Sequence, residues 1–285
     1  MTDETHKQSS WWGSFKLEIE QNKEWHLGPL KLIVRRLKSE WQVAHETADD
    51  FENLNTPLNS PLNSPLNTPL NSPWEINNTE QLPETLDNNS RYILHDTTGQ
   101  LIITPQLADR PIISRPHMPF NLAAGEEITL YVSSSLWLEL AIGSTPSKVL
   151  KSIAIQRLSD TWFGPSTLEG ELCYASTTHC RLNLEDLPKR SYKAITPVLI
   201  RNQSKTTLLI ERLNLPTPLL SLYASSNGQL WTPQVTLTRE KDGDMAELKI
   251  DNHPPEDVGI MEKISDAHNE ADSSVLFRAF NTVFS

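Results

Sequence analysis

Short runs with apolar residues at every second position recur along this chain at roughly ten-residue intervals, separated by turn-forming residues. No other feature constrains the fold as much, because that pattern belongs to strands and excludes a helical core. Phe15, Leu17 and Ile19 alternate after Trp11-Trp12-Gly13, Leu30, Leu32 and Val34 alternate beyond the Gly28-Pro29 break, and Trp41 and Val43 repeat the pattern past Lys38-Ser39. In the second half, residues 195–200 and 206–213 flank the polar turn Arg201-Asn202-Gln203-Ser204, and 219–223 and 230–238 enclose Asn227-Gly228. Both residues of that pair tolerate the positive φ of a tight hairpin. Asp242-Gly243 supplies another turn before 245–250. No long helical pattern alternates with these runs, which argues against a parallel α/β sheet. The expected fold is all-β: two antiparallel β-sandwich-like domains with a short C-terminal helix.

A chain of 285 residues is long enough for two ordinary domains. The polar residues 1–10 read as a disordered start, 11–157 as a first β domain, 158–255 as a second, and 256–285 as a tail with the helix. A disordered, polar insert at about residues 48–90 interrupts the first domain. Within it the chain repeats Asn-Ser/Thr-Pro-Leu from Asn55 to Pro73. Proline at every fourth position removes amide donors and fixes φ, which excludes both a continuous helix and a paired strand. The repeat reads as an extended or turn-rich surface loop, or as a docking segment.

Acidic residues outnumber basic ones 36 to 25, a net charge of -11. A polyanion would be repelled, so nucleic acid is not an expected partner. The polar start shows no signal peptide, and no apolar run approaches the about 20 residues of a spanning helix. The expectation is a cytoplasmic protein with no membrane insertion. Cys173 and Cys180 are the two cysteines. A tight turn at Ser176-Thr177 would set them opposite each other, whereas without a secretory signal they read as reduced packing thiols. Neither belongs to a Cys-x-x-Cys pair and the eight histidines are scattered, so no metal and no cofactor is expected.

Residues 158–181, LSDTWFGPSTLEGELCYASTTHCR, concentrate large aromatics around a Gly164-Pro165 break. They read either as a core hinge or as a binding groove whose contacts come from Asp160, Trp162, Phe163, Glu169, Glu171 and His179. Glu169 and Glu171 stand two apart and would share one face of a strand. With Asp160 they are also candidates for the carboxylate pair of a glycoside hydrolase. The commoner phosphate-loop, hydrolase and metalloprotease motifs are absent.

Two further stretches are candidate partner contacts. Lys189, Arg190 and Lys193, followed by Arg201, Lys205 and Arg212, make one region locally basic. Leu276, Phe277, Phe280, Val283 and Phe284 fall on one face of a helix that Asp272 or Ser273 would cap. Such a helix either covers a sheet edge or presents Leu276, Phe280 and Phe284 to a partner.

Four phrases in order resemble a known family: Gly28-Pro29-Leu30 followed by Glu40-Trp41, RLSDTWFGPSTLEGELCYA from Arg157, AITPVLIRNQS from Ala194, and LWTPQV from Leu230. They are similar to the domain of unknown function 432 of bacteria and archaea, outside which the tetrapeptide repeat falls. The resemblance carries over no catalytic residue. It implies a partner, because members of the family are often encoded beside small-conductance mechanosensitive channels. The reading from sequence is a non-catalytic accessory or regulatory binding protein, peripheral to the inner membrane through that partner. The alternative is a carbohydrate-active or carbohydrate-binding protein that uses the groove around Trp162.

Overall fold

The computed structural model describes residues 10–48, 74–94, 98–143, 147–166, 168–243, 245–270 and 275–280. These residues form strands joined by turns, with 3-10 turns at Pro83–Thr85, Leu184–Asp186, Thr217–Leu219 and Glu256–Val258. The fold is all-β. Among the described residues, no helix is long and apolar enough to cross a membrane. The tetrapeptide repeat lies outside the described residues. Of the expected insert, residues 74–90 instead supply the strand Trp74–Asn78, the Pro83–Thr85 turn and the start of Asn88–Ile93.

The chain divides into two compact units. The first takes the described residues up to 48, those of 74–105, and 137–156; the second takes those of 106–136 and those from 157 onward. The sequence marks a single break at 157, whereas the described residues also change unit at 105 and 136. The reason lies in strand pairing. Glu127–Ser135 lies antiparallel along Lys193–Asn202 from Glu127 opposite Arg201 to Ser135 opposite Lys193, which draws it away from its sequence neighbours.

In the first unit, a five-stranded antiparallel sheet runs in the order Trp74–Asn78, Asn22–Leu27, Leu30–Arg36, Glu40–Thr47, Asn88–Ile93. Its first hairpin turns at Gly28, whose φ of 57° suits a residue without Cβ. A four-stranded sheet holds Gly13–Lys16, Gln100–Gln106, Trp137–Ile142 and Lys148–Ala154. Period-2 alternation sends Trp25, Leu32, Val34, Trp41 and Val43 to one face of the larger sheet, and all five are fully buried. Phe15 of the smaller sheet meets Trp25 edge-on at 5.2 Å, so the core lies between the sheets.

The second unit is built on Lys193–Asn202, the spine of an eight-stranded sheet. On the edge away from Glu127–Ser135, two short strands run parallel to it: Leu230–Trp231 beside Ala194 and Ile195, then Val235–Arg239 beside residues 198–202. The expected purely antiparallel pairing is therefore corrected to a mixed sheet. Pro197, in mid-spine, has no amide to donate, and this is tolerated for a visible reason. Tyr131, its partner in register, bonds through both backbone groups to Arg181 instead, and on the other edge the neighbouring strand is interrupted at Thr232-Pro233-Gln234. Leu222–Ser225 and Met261–Ser265 extend the sheet one way, and Met245–Ile250 and Val275–Arg278 the other.

Val275–Arg278 overturns the expected C-terminal helix. It pairs antiparallel with Met245–Ile250, and Phe280 bridges to Leu213. A free sheet edge offers a row of unpaired amides and carbonyls, and a short apolar stretch satisfies them better extended than as an isolated helix.

Candidate functional site

The strands Ser159–Phe163 and Glu171–Ala175 form an antiparallel hairpin within a four-stranded sheet that continues through Ile112–Ser114 to Leu213–Leu215. Trp162 stands opposite Leu172 and Asp160 opposite Tyr174, so alternation puts these four on one face. Thr161, Phe163 and Cys173 take the other, where Phe163 and Cys173 pack with Ile113 as a buried cluster.

The outer face presents a fixed indole. Trp162 remains 40% exposed and Leu172 44%, yet Trp162 Nε1 donates to the Ser166 carbonyl at 2.9 Å. The ring lies against Gly170 so closely that a Cβ there would stand 2.3 Å from Nε1. Gly164, at φ 147°, approaches Gly170 in turn; a Cβ on it would stand 2.4 Å from the Gly170 Cα. The two glycines thus let the hairpin end close beneath the indole. Beside it, Arg110 pairs with Asp160 at 3.3 Å and lies 5.3 Å from the centre of the Tyr174 ring. The Tyr174 hydroxyl donates to Asp109 at 3.0 Å, and burial followed by that bond raises its pKa. An exposed aromatic plane with a charged rim can stack on a ligand without first being ordered.

The remaining residues expected of a groove are not gathered here. Phe163 is fully buried on the inner face. Glu171 is opposite Phe163 and accepts from Asn214 Nδ2 at 2.6 Å, while Glu169 sits exposed in the turn. The two glutamates therefore do not form a pair beside Trp162, because the strand begins only at Glu171. His179 is exposed and stands with His117 at 5.8 Å between ring centres. Among the described residues, no cluster of three His, Cys, Asp or Glu side chains forms a metal site. Cys173 and Cys180 are free and buried, and burial pushes their thiols up to about 12 and about 11. Such thiols are protonated and inert.

Of the expected partner contacts, Lys193 is 2% exposed and its ammonium donates to Thr178 Oγ1, while Lys189 and Arg190 are half-buried. Phe280 is fully buried, so it belongs to the core; Leu276 is exposed, and Phe284 lies outside the described residues. The sequence reading left Leu172 and Tyr174 with the core rather than the site, and missed Arg110 and Asp109. Leu172 and Tyr174 were within reach, since alternation from Glu171 gives them a common face, but Asp109 and Arg110 arrive only through the parallel pairing of Ile112–Ser114 with Glu171–Ala175.

Residues 11–285 match the model of a family described as a protein of unknown function (DUF432). The chain belongs to that family. No curated protein and no solved structure matches it. Two of the phrases that carry the likeness to DUF432 hold up the fold. In IRNQS, Asn202 and Ser204 close around Arg239, a guanidinium only 4% exposed, which donates to Ser204 Oγ at 2.7 Å and Asn202 Oδ1 at 3.3 Å. In LWTPQV, Thr232 donates to Thr196 Oγ1 at 2.8 Å and its amide to the Ile195 carbonyl, locking the interruption beside Pro197. The phrase around Trp162 differs, because part of it is spent on an exposed surface.

Proposed function

We propose that this DUF432 protein is a non-catalytic binding module that engages a protein partner through the outer face of the Trp162 hairpin. The observation that carries this reading is the exposed indole, held in one pose by Ser166 and Gly170. A large apolar ring fixed at the surface gains nothing for the fold from its exposed side, while rigid aromatic anchors are what protein interfaces concentrate. In this reading the partner is a small-conductance mechanosensitive channel, approached from the cytoplasm, and the hairpin would dock on the channel's cytoplasmic part. Co-expression with the neighbouring channel, detergent extraction and capture on the tagged channel test this directly. Wild type should co-purify, and Trp162→Ala should abolish capture while the variant stays folded. Capture that survives this change would refute the hairpin as the contact.

A second reading, in which the same indole stacks on a sugar ring, draws on the Asp160 and Arg110 side chains beside it. Saccharide binding on a glycan array, lost in Trp162→Ala, would favour it. Hydrolysis lost in Glu171→Gln without loss of folding would restore a catalytic role.

A further inference from the structure

Among the described residues, the inner face of the first unit's five-stranded sheet carries cationic side chains and no carboxylate. In the five-stranded sheet, register puts Lys23, Arg36 and His45 on the face toward the four-stranded sheet, while Glu24, Glu40, Glu46 and Glu75 fall on the opposite face. From the facing sheet comes Lys151, opposite Leu140 in register. Its ammonium donates to Ser90 Oγ at 3.2 Å, and among the described residues no carboxylate pairs with it. Lys23 and Arg36 are engaged elsewhere, with Lys23 5.5 Å from the centre of the Phe15 ring and Arg36 donating to the Leu17 carbonyl. His45 stands near Lys151 with a buried Nδ1 that has no partner, and the fully buried Trp41 has an indole N–H that has none.

These groups meet where the two sheets are open. Asn88–Ile93 and Lys148–Ala154 are edge strands of their respective sheets, and Ser90, Lys151 and His45 are all half-buried, reachable from solvent. Val43 pairs with Ser90 and Trp41 with Tyr92, so Trp41 lies diagonal to Ser90 on the same face, about 7 to 8 Å away along the backbone. The half-buried Lys151 ammonium has a hydroxyl acceptor and a neighbouring imidazole, and no carboxylate among the described residues. The Ser90 hydroxyl accepts from Lys151 and so keeps its own proton to give. What the cluster lacks is a negative acceptor.

We propose that Ser90, Lys151 and His45 form a binding site for a small oxyanion, the phosphate or carboxylate group of a small molecule, with the Trp41 indole N–H at its margin. Lys151 supplies the charge, Ser90 a hydroxyl donor and His45 a second N–H once protonated. The net negative charge of the chain does not forbid this, since charges beyond about 8 Å are screened at physiological salt. Burial, followed by the Lys151 charge, holds the His45 imidazole down to about 4, and burial lowers Lys151 as well. A bound anion would oppose both effects.

The test uses the full chain and follows the His45 ring and the Trp41 indole N–H by NMR, assigned through His45→Gln and Trp41→Phe. Inorganic phosphate and oxalate are compared with sodium chloride at equal ionic strength. The expected result is a saturable shift of the Trp41 signal at neutral pH and a His45 midpoint raised by about one unit or more. A response to phosphate alone identifies a phosphate ligand, and a response to oxalate alone a carboxylate. Lys151→Met should remove the response and by itself raise the His45 midpoint. If that variant does not fold, Ser90→Ala must weaken the apparent affinity severalfold. Signals that follow chloride in both anions, or a response undiminished in the variant that folds, would overturn the proposal.

Discussion

Trp162 and Phe163 are adjacent in sequence and opposite in consequence. The Phe163 ring is fully enclosed beside Ile113 and Cys173, so Phe163→Ala is expected to cost about 3 to 5 kcal/mol. Trp162→Ala should cost less, about 2 to 3 kcal/mol, because the ring is already 40% exposed and the change removes one hydrogen bond of modest net worth. Urea denaturation of both variants checks the difference; equal losses would mean that the indole is part of the core. A second residue-scale expectation concerns acid. Glu40 accepts from Arg91 Nε at 2.6 Å and Nη2 at 2.7 Å and from Gln42 at 2.9 Å, and these bonds hold its carboxyl at about 2 rather than 4.5. His45 is held at about 4 rather than 6.5. In both cases the unfolded chain takes up the proton first as pH falls. Stability is therefore lost from 6.5 toward 4 through His45, and from 4.5 toward 2 through Glu40. Denaturant midpoints measured against pH should show Glu40→Gln flattening only the lower part of this decline and His45→Gln only the upper.

At the scale of elements, the C-terminal strand separates packing from docking. Phe280→Asp would bury an unpaired charge at a fully enclosed position and should destabilise by about 4 kcal/mol or more, whereas Leu276→Asp, at a side chain 72% exposed, should fall within about 0.5 kcal/mol. Thermal melts of the pair decide it, and a well-folded Phe280→Asp protein would return that ring to the surface. The same stretch shows where sequence reasoning fails. Leu276, Phe277 and Phe280 fit a helical face, yet so few residues carry no clear period, and the free edge of Met245–Ile250 decides the outcome. Long alternating stretches such as Leu30–Arg36, and turns such as Asn227-Gly228, whose Gly228 takes a φ of 80°, are legible because their causes are local. The parallel pairings on Lys193–Asn202 are not, since partners far apart in sequence leave no local trace. The candidate site divides the same way. Trp162 and the glycines beneath it stand in the sequence, whereas the exclusion of Glu171 from that face depends on the register that sets it opposite Phe163.

For the whole molecule, the consequential feature is that neither unit is one continuous piece of chain. The second unit would be cut off by a break at 157 from Glu127–Ser135, which pairs along the whole spine strand. Removing it would expose the amides and carbonyls of Lys193–Asn202 on that edge together with Ile195, Val198 and Ile200, all nearly inaccessible. A fragment of residues 158–285 is therefore expected to aggregate or stay unfolded. Residues 106–285, with 137–156 replaced by a Gly/Ser linker of about 20 residues, restore that strand through a flexible connection no shorter than the segment removed. This second fragment should give dispersed amide signals in an NMR spectrum and a cooperative melt. If the 158–285 fragment folds as well as the longer one, Glu127–Ser135 adds little to the spine, and the boundary read from the sequence is the physical one. If neither folds, the second unit depends on residues of the first, and the chain is a single folding unit despite its two clusters of contacts.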